Sequence, residues 1–140
     1  MRVILDADVV VAAMRSPRGA SAELLRRIDL GSATLLMTVA LALEYQSKCM
    51  IAKHRLAAGL TEEETGAFVD CLIAMAEPVQ THYRWRPQLR DPGNELILEA
   101  AVSGRATHLI TLNEKGLGKA EQKFGIAVIR PNEALKRMMG

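Results

Sequence analysis

Between residues 89 and 113 the chain spells out most of a helix–strand unit with polar groups at its corners. An acid-bearing start, Asp91-Pro92-Gly93-Asn94-Glu95, precedes an apolar helical run over 96–102, and Gly104 closes it. A short apolar strand follows, His108-Leu109-Ile110, and ends on Thr111 and Asn113. Asp before Pro is the pattern of a helix N-cap and first helical residue. Asn94 and Glu95 then suit the positive end of the helix dipole. Capping alone accounts for these residues, and a solvated face accounts for Glu95, Glu99 and Ser103 at helical spacing. In open parallel sheets, however, ligands sit outside the carboxyl ends of strands. A second strand end carrying acids therefore matters, and Val3-Ile4-Leu5-Asp6-Ala7-Asp8 supplies one.

The rest of the chain repeats the alternation. Residues 2–5 read as a buried strand, and 9–13 continue apolar after Asp8. Arg15-Ser16-Pro17-Arg18-Gly19 is a loop. Ser21 is the expected cap of a helix with Glu23 in its first turn, Arg26 and Arg27 near its end, and Gly31 as its stop. Thr34-Leu35-Leu36-Met37 is the second strand. One helix is expected over 39–54, burying Leu41, Ala42, Tyr45, Cys49 and Ala52, with Glu44 in its second turn. Thr61 with Glu64 forms a capping box for a helix that buries Phe68, Cys71, Leu72 and Met75. A third strand is expected over 78–81, a loop and short helix over 115–124, a fifth strand over 127–129 and a last helix from Pro131 to Met139. Strands alternating with helices predict an α/β fold with a mainly parallel sheet of about five strands. The 140 residues suit one domain, 1–140.

Composition narrows the classes. The net charge of +2 is too small to argue for nucleic acid, so local clusters must carry any such claim. Cys49 and Cys71 make no disulfide framework and no zinc spacing, which fits a reducing cytoplasm. No run approaches the length of a membrane span and no signal peptide opens the chain. A membrane or secreted protein is not expected.

The candidate chemistry is carboxylate chemistry. Asp6 ends the first strand, Glu44 lies one turn inside the helix after the second, Asp91 and Glu95 open the helix before the fourth, and Thr111 and Asn113 follow that strand. A parallel sheet can bring these places to one edge. Two carboxylates 5 Å apart repel by about 3 kcal/mol at an effective dielectric near 20. A bound cation or a proton relieves that crowding. Oxygen ligands favour Mg²⁺ or Mn²⁺ over zinc, and such an ion can position water and stabilise charge on a phosphate. His54, His82 and His108 lack an evident orienting partner and read as structural or surface residues.

The sequence resembles PIN-domain proteins, of the branch that includes toxins of bacterial toxin–antitoxin pairs. The resemblance runs nearly end to end. It is carried by Val3-Ile4-Leu5-Asp6-Ala7-Asp8-Val9-Val10-Val11-Ala12-Ala13, Arg15-Ser16-Pro17-Arg18-Gly19-Ala20-Ser21, Leu43-Glu44-Tyr45, Trp85-Arg86-Pro87-Gln88-Leu89-Arg90-Asp91-Pro92, Leu98-Glu99-Ala100-Ala101-Val102, Ile110-Thr111-Leu112-Asn113 and Phe124-Gly125-Ile126. It implies a three-layer α/β/α sandwich and a metal-dependent ribonuclease. Asp6, Glu44 and Glu95 match the acids that hold Mg²⁺ or Mn²⁺. Asp91 matches an additional acid, and Thr111 and Asn113 match the polar pair after the fourth strand. RNA as substrate, a cognate antitoxin and a homodimer are implied in the same way. There are departures. Asp8 stands where Asn or Ser is usual, Asn94 where an acid is frequent, and the fourth acid falls on Gly116, with Glu114 nearby.

Arg15, Arg18, Lys48, Lys53, Arg55, Arg84, Arg86 and Arg90 can track a phosphate backbone, and a solvated surface explains them equally; Trp85 can stack on a base, though core or interface packing explains it better. Two other functions stay open. Without the acid at 116 the domain can be a weakened or inactive module that binds RNA or protein. A phosphatase of the haloacid dehalogenase type would use Asp6-Ala7-Asp8 as its opening Asp-x-Asp, with Thr38 as its hydroxyl.

Overall fold

The computed structural model describes residues 1–81 and 87–139. In chain order the elements are β1 (Arg2–Leu5), α1 (Ala7–Arg15), α2 (Ala20–Asp29), β2 (Thr34–Met37), α3 (Val39–Met50), α4 (Ala52–Ala58), α5 (Glu62–Met75), β3 (Glu77–Pro78), α6 (Pro92–Ser103), β4 (His108–Ile110), α7 (Gly118–Phe124), β5 (Ala127–Ile129) and α8 (Pro131–Met139). The five strands form one sheet in the order β3-β2-β1-β4-β5. Every pairing is parallel, with Val3 beside Leu35 on one side and His108 on the other.

The short apolar runs form strands because both their faces are covered. Val3, Ile4, Leu5, Leu36, Leu109 and Ile110 are fully buried, as a parallel sheet between helical layers requires. From β1 the chain moves outward to β2 and β3, then returns to the other side of β1 for β4 and β5. Right-handed crossovers therefore put the helices of the first half on one face and α6 and α7 on the other. In the first layer α1 packs on α2 and α3, α3 on α5, and α8 on α2; α6 packs on β1 and β2. The result is a three-layer α/β/α sandwich. Its direction reverses between β1 and β4, the position where open α/β sheets leave a crevice.

Local signals explain most helix starts. Thr61 and Glu64 form the reciprocal capping box, each bond 3.0 Å. Asp91 Oδ1 accepts from Asn94 N at 3.0 Å, with Pro92 in the first turn. Five expectations need correction. The helix expected over 39–54 breaks at Ile51, whose ψ of 125° is extended, so α4 takes a new direction. Ser21 does not cap α2; Gly19 does, and Ser21 is buried inside the first turn. Gly19 is fitted to that place, since a Cβ there would stand 3.1 Å from Ser16 Oγ. In α5, Cys71 is exposed, while Thr65, Val69 and Leu72 are the buried residues. In α3 and α4 the buried positions are Leu41, Tyr45 and Cys49, and Ala52 is exposed. The third strand is Glu77–Pro78 rather than 78–81, though Val79 N still donates to Met37 O at 2.9 Å.

Candidate functional site

The crevice at the reversal holds a cavity of about 650 Å³. Asp6, Asp8, Glu44, Asp91, Asn94 and Asn113 line it, together with Arg15, Lys48 and His54, and Ala7, Val11, Ala12 and Ile97 are among the apolar lining. Asp6 arrives there because it ends β1 and begins α1. Its backbone N–H donates to Ile110 O at 2.9 Å, extending the β1–β4 ladder by one residue. Beneath it the buried Tyr45 hydroxyl donates to the carbonyl of Leu5, which ties α3 to the same strand end.

Thr111, fully buried at the end of β4, donates its hydroxyl to Asp6 Oδ2 at 2.7 Å. The Thr111 hydroxyl oxygen accepts from Asn113 N at 3.0 Å, which folds the chain after β4 into a tight turn. The Asn113 carbonyl also lies 3.1 Å from the hydroxyl. One hydroxyl has one proton, and a carboxylate is the stronger acceptor. Asp8 is held separately: Leu112 N donates to its two oxygens at 3.3 and 3.2 Å. The Leu112 carbonyl in turn accepts from Arg130 at 2.8 Å.

These acids share a poorly solvated place. Burial, followed by the charge of Asp8, pushes Asp6 up to about 6; the Thr111 hydroxyl and the Ala7 N–H pull the other way, and Asp91 adds to the rise. Burial also raises Asp8, opposed by its bonds to Leu112 and Val9. Glu44 faces the same space from α3, with Lys48 Nζ 3.7 Å from its Oε1.

Among the residues singled out by sequence, the cavity thus gathers Asp6, Glu44, Asp91, Asn113, Arg15 and Lys48. Thr111 supports it from beneath. Glu95 is not brought there. Its carboxylate accepts from Gln88 N at 2.9 and 3.0 Å and from Leu89 N at 2.7 Å. Backbone N–H groups without a helix or strand partner capture it, and it holds the segment leading into Asp91 instead. Its neighbour Glu99 is half-buried and raised by burial and by the charge of Glu95, so that face is not merely solvated. Arg18 and Arg90 are exposed outside the cavity lining. His82, Arg84, Trp85 and Arg86 lie outside the described residues.

Asp8, expected as a departure that adds an acid or alters how Asp6 is held, lines the cavity as a fourth acid. The lining residue that sequence reasoning missed is His54; Arg15 Nη1 lies 3.0 Å from its Nδ1. On one continuous helix His54 would stand about 120° round from Lys48; the break at Ile51 re-aims it. Gly116 has φ +88°, and a Cβ there would meet Asn94 Nδ2 at 2.8 Å. The two neutral residues at usual acid positions thus pack against each other. Thr38 caps α3, accepting from Leu41 N at 3.0 Å, and lines a different hollow with Val39, Leu43 and Val79. It lies apart from the acids, contrary to the phosphatase pattern.

The donor set is all oxygen: four carboxylates and two side-chain amides. It suits a hard divalent ion, and the elevation of Asp6 comes first from burial and then from the charge of Asp8. Among the described residues no three acids, histidines or cysteines stand close enough together to hold an ion as placed. The chemistry fits Mg²⁺ or Mn²⁺, while closure around one requires the side chains to approach. No helix among the described residues is long and apolar enough to cross a membrane.

Comparison with known proteins gives the family. No curated protein matches the sequence. The crystal structure of VapBC2 from Rickettsia felis bound to a DNA fragment from their promoter is similar in fold, with a TM-score of 0.64 at 14% identity over 93% of this chain and 98% of that one. The sequence profile of the PIN domain matches residues 2–115, which include β1 to β4 and every acid of the cavity. The chain belongs to the PIN-domain family.

Proposed function

We propose that this PIN domain is a Mg²⁺- or Mn²⁺-dependent ribonuclease that hydrolyses phosphodiester bonds in RNA, and that it serves as the toxin of a toxin–antitoxin pair. The observation that carries the reading is the convergence of Asp6, Asp8, Glu44 and Asp91, from three separate parts of the chain, on one cavity at the sheet's reversal. Asp6, Glu44 and Asp91 would hold the ion, with Asp8 beside them. Bound there, a divalent ion positions water and offsets charge on the phosphate. Thr111 fixes the orientation of Asp6. Asn94 and Asn113 present amides that can orient the phosphate. Arg15 and Lys48 draw the polyanion in, with Arg18, Arg86 and Arg90 as further candidates. Glu95 acts through Asp91 by anchoring the segment before it.

An antitoxin would inhibit most simply by placing a cationic side chain against the acids. The comparison structure is itself a VapBC assembly, which supports a protein partner of that kind. A homodimer is in keeping with the exposed apolar residues Val39 and Leu43 on α3. Two free cysteines fit a cytoplasmic setting.

Cleavage of RNA with Mn²⁺, lost in Asp6→Asn and in Glu44→Gln, tests the assignment; equal cleavage by wild type and both variants overturns it. A second reading has its own support. Gly116 and Asn94 are neutral, and Glu95 is turned away. An RNA- or protein-binding module that does not cut follows if RNA is retained on the protein but stays intact with either metal.

A further inference from the structure

We propose that Arg15 is the contact for a backbone phosphate of the bound RNA strand, and that His54 is the residue that positions it. The inference rests on the cavity being the RNA site proposed above. Asp6, Asp8, Glu44 and Asp91 bring negative charge to the cavity lining, and Arg15, Lys48 and His54 line it too; Lys48 is matched by Glu44, its Nζ 3.7 Å from Oε1. Among the described residues Arg15 pairs with no carboxylate; its partner is the imidazole of His54, Nη1 to Nδ1 at 3.0 Å. That contact requires an unprotonated Nδ1. Burial first, and then the charges of Arg15 from α1, Lys53 from α4 and Lys48 from α3, keep the pKa of the His54 ring low. A guanidinium held by a neutral ring, with other cations close by and no carboxylate bonded to it among the described residues, is arranged for an anion from outside.

Spacing says which anion. Asp6 begins α1 and Arg15 ends it, so the two stand about 14 Å apart along the helix at 1.5 Å per residue. Arg15 therefore meets a phosphate about two along the strand from the one facing the acids. Ala7, Val11 and Ala12 line the cavity from α1, an apolar floor suited to a sugar or base. A chain of phosphates joined by apolar faces, a single-stranded RNA, satisfies both the guanidinium and the floor.

The test separates binding from cutting. Fluorescence anisotropy of a labelled single-stranded RNA is measured with excess EDTA over a salt series. Arg15→Ala weakens binding about tenfold and lowers the salt slope by about 0.7. His54→Ala weakens it severalfold, while His54→Gln, whose amide oxygen can accept from the guanidinium, stays within about twofold of wild type. Arg105→Ala, just ahead of β4 at the opposite end of the sheet, controls for simple loss of charge. Both Arg15 and Arg105 are exposed, and matching melting temperatures verify that the variants fold. The proposal fails if Arg15→Ala loses no more than Arg105→Ala, if His54→Gln falls as far as His54→Ala, or if RNA does not bind. RNA bound through Arg15 but never cut removes the nuclease reading alone; cutting that ignores Arg15 removes this inference alone.

Discussion

The Thr111 hydroxyl reaches Asp6 Oδ2 at 2.7 Å across 105 positions of sequence, joining the ends of the two central strands at the point where acid chemistry is proposed. The bond favours the charged form of Asp6. Thr111→Val removes it, together with the acceptor for Asn113 N. Asp6 then rises further above its present value of about 6, and the acid limb of a cleavage–pH profile moves up. Stability falls by about 1–3 kcal/mol at pH 8, and by less at pH 5, where Asp6 is already mostly protonated. Thr111→Ser keeps the donor and holds the wild-type profile. Urea unfolding at the two pH values checks the stability half.

Asp6 also makes the fold sensitive to pH in a stated direction. Its folded value is about 6 against an ordinary 3.8, so the folded state holds the proton more tightly. Its contribution is fully present below about pH 4 and is lost as pH rises through about 6. The loss amounts to at most about 3 kcal/mol. Asp8 leans the same way. Asp6→Asn therefore melts higher than wild type at pH 7.5 and no higher at pH 4. Mn²⁺ raises the wild-type melting temperature and leaves that of Asp6→Asn nearly unchanged. A variant that melts lower at pH 7.5 contradicts the account.

Glu95 and Asp91 separate by role. Glu95→Gln disturbs three backbone contacts to residues 88 and 89, costs about 1–2 kcal/mol and speeds proteolysis before α6. Mn²⁺ affinity, read by titration calorimetry, changes by less than about threefold. Asp91→Asn keeps an oxygen to cap α6, so its stability changes little, yet it loses about tenfold or more in Mn²⁺ affinity, as removal of a carboxylate from the ligand set should. The reverse order would return Glu95 to the metal.

Restoring the absent acid at Gly116 is expected to fail. Its φ of +88° disfavours any side chain, and a Cβ would collide with Asn94 Nδ2 at 2.8 Å. Gly116→Asp and Gly116→Ala both destabilise by about 1–2 kcal/mol, with no gain in metal affinity from the aspartate. Removing the obstacle in Asn94→Gly relieves the crowding but leaves the backbone cost. Chemical denaturation of the single and double variants decides between these contributions.

The legible parts of this chain are those decided by neighbours in sequence. Four strands, the Asp91 and Thr61 caps and the placing of Asp6, Thr111 and Asn113 at strand ends all follow from local pattern and parallel topology. The break at Ile51 was not legible, because Cys49-Met50-Ile51-Ala52-Lys53 contains no glycine or proline and reads as unbroken helix. Its cause lies in packing: Leu41, Tyr45 and Cys49 are buried and nothing in α4 is. Missing the break hid His54. Glu95 shows a second limit. A carboxylate one turn into a helix has a reach of several ångströms, and sequence does not say whether an ion or a stray backbone N–H claims it.

Because no residue of α4 is buried, and the helix leans mainly on α1 and α3, the two rims of the cavity differ in permanence. Asp6 hangs from a strand sealed on both sides, whereas His54 rides on a seven-residue helix of about two turns with water along its length. Native-state hydrogen exchange should therefore find the amide protons of residues 54–58 trading quickly and those of β1 trading last. A strand of RNA gripping both rims would register first as slowed exchange in that outer segment, before any bond in the RNA is broken.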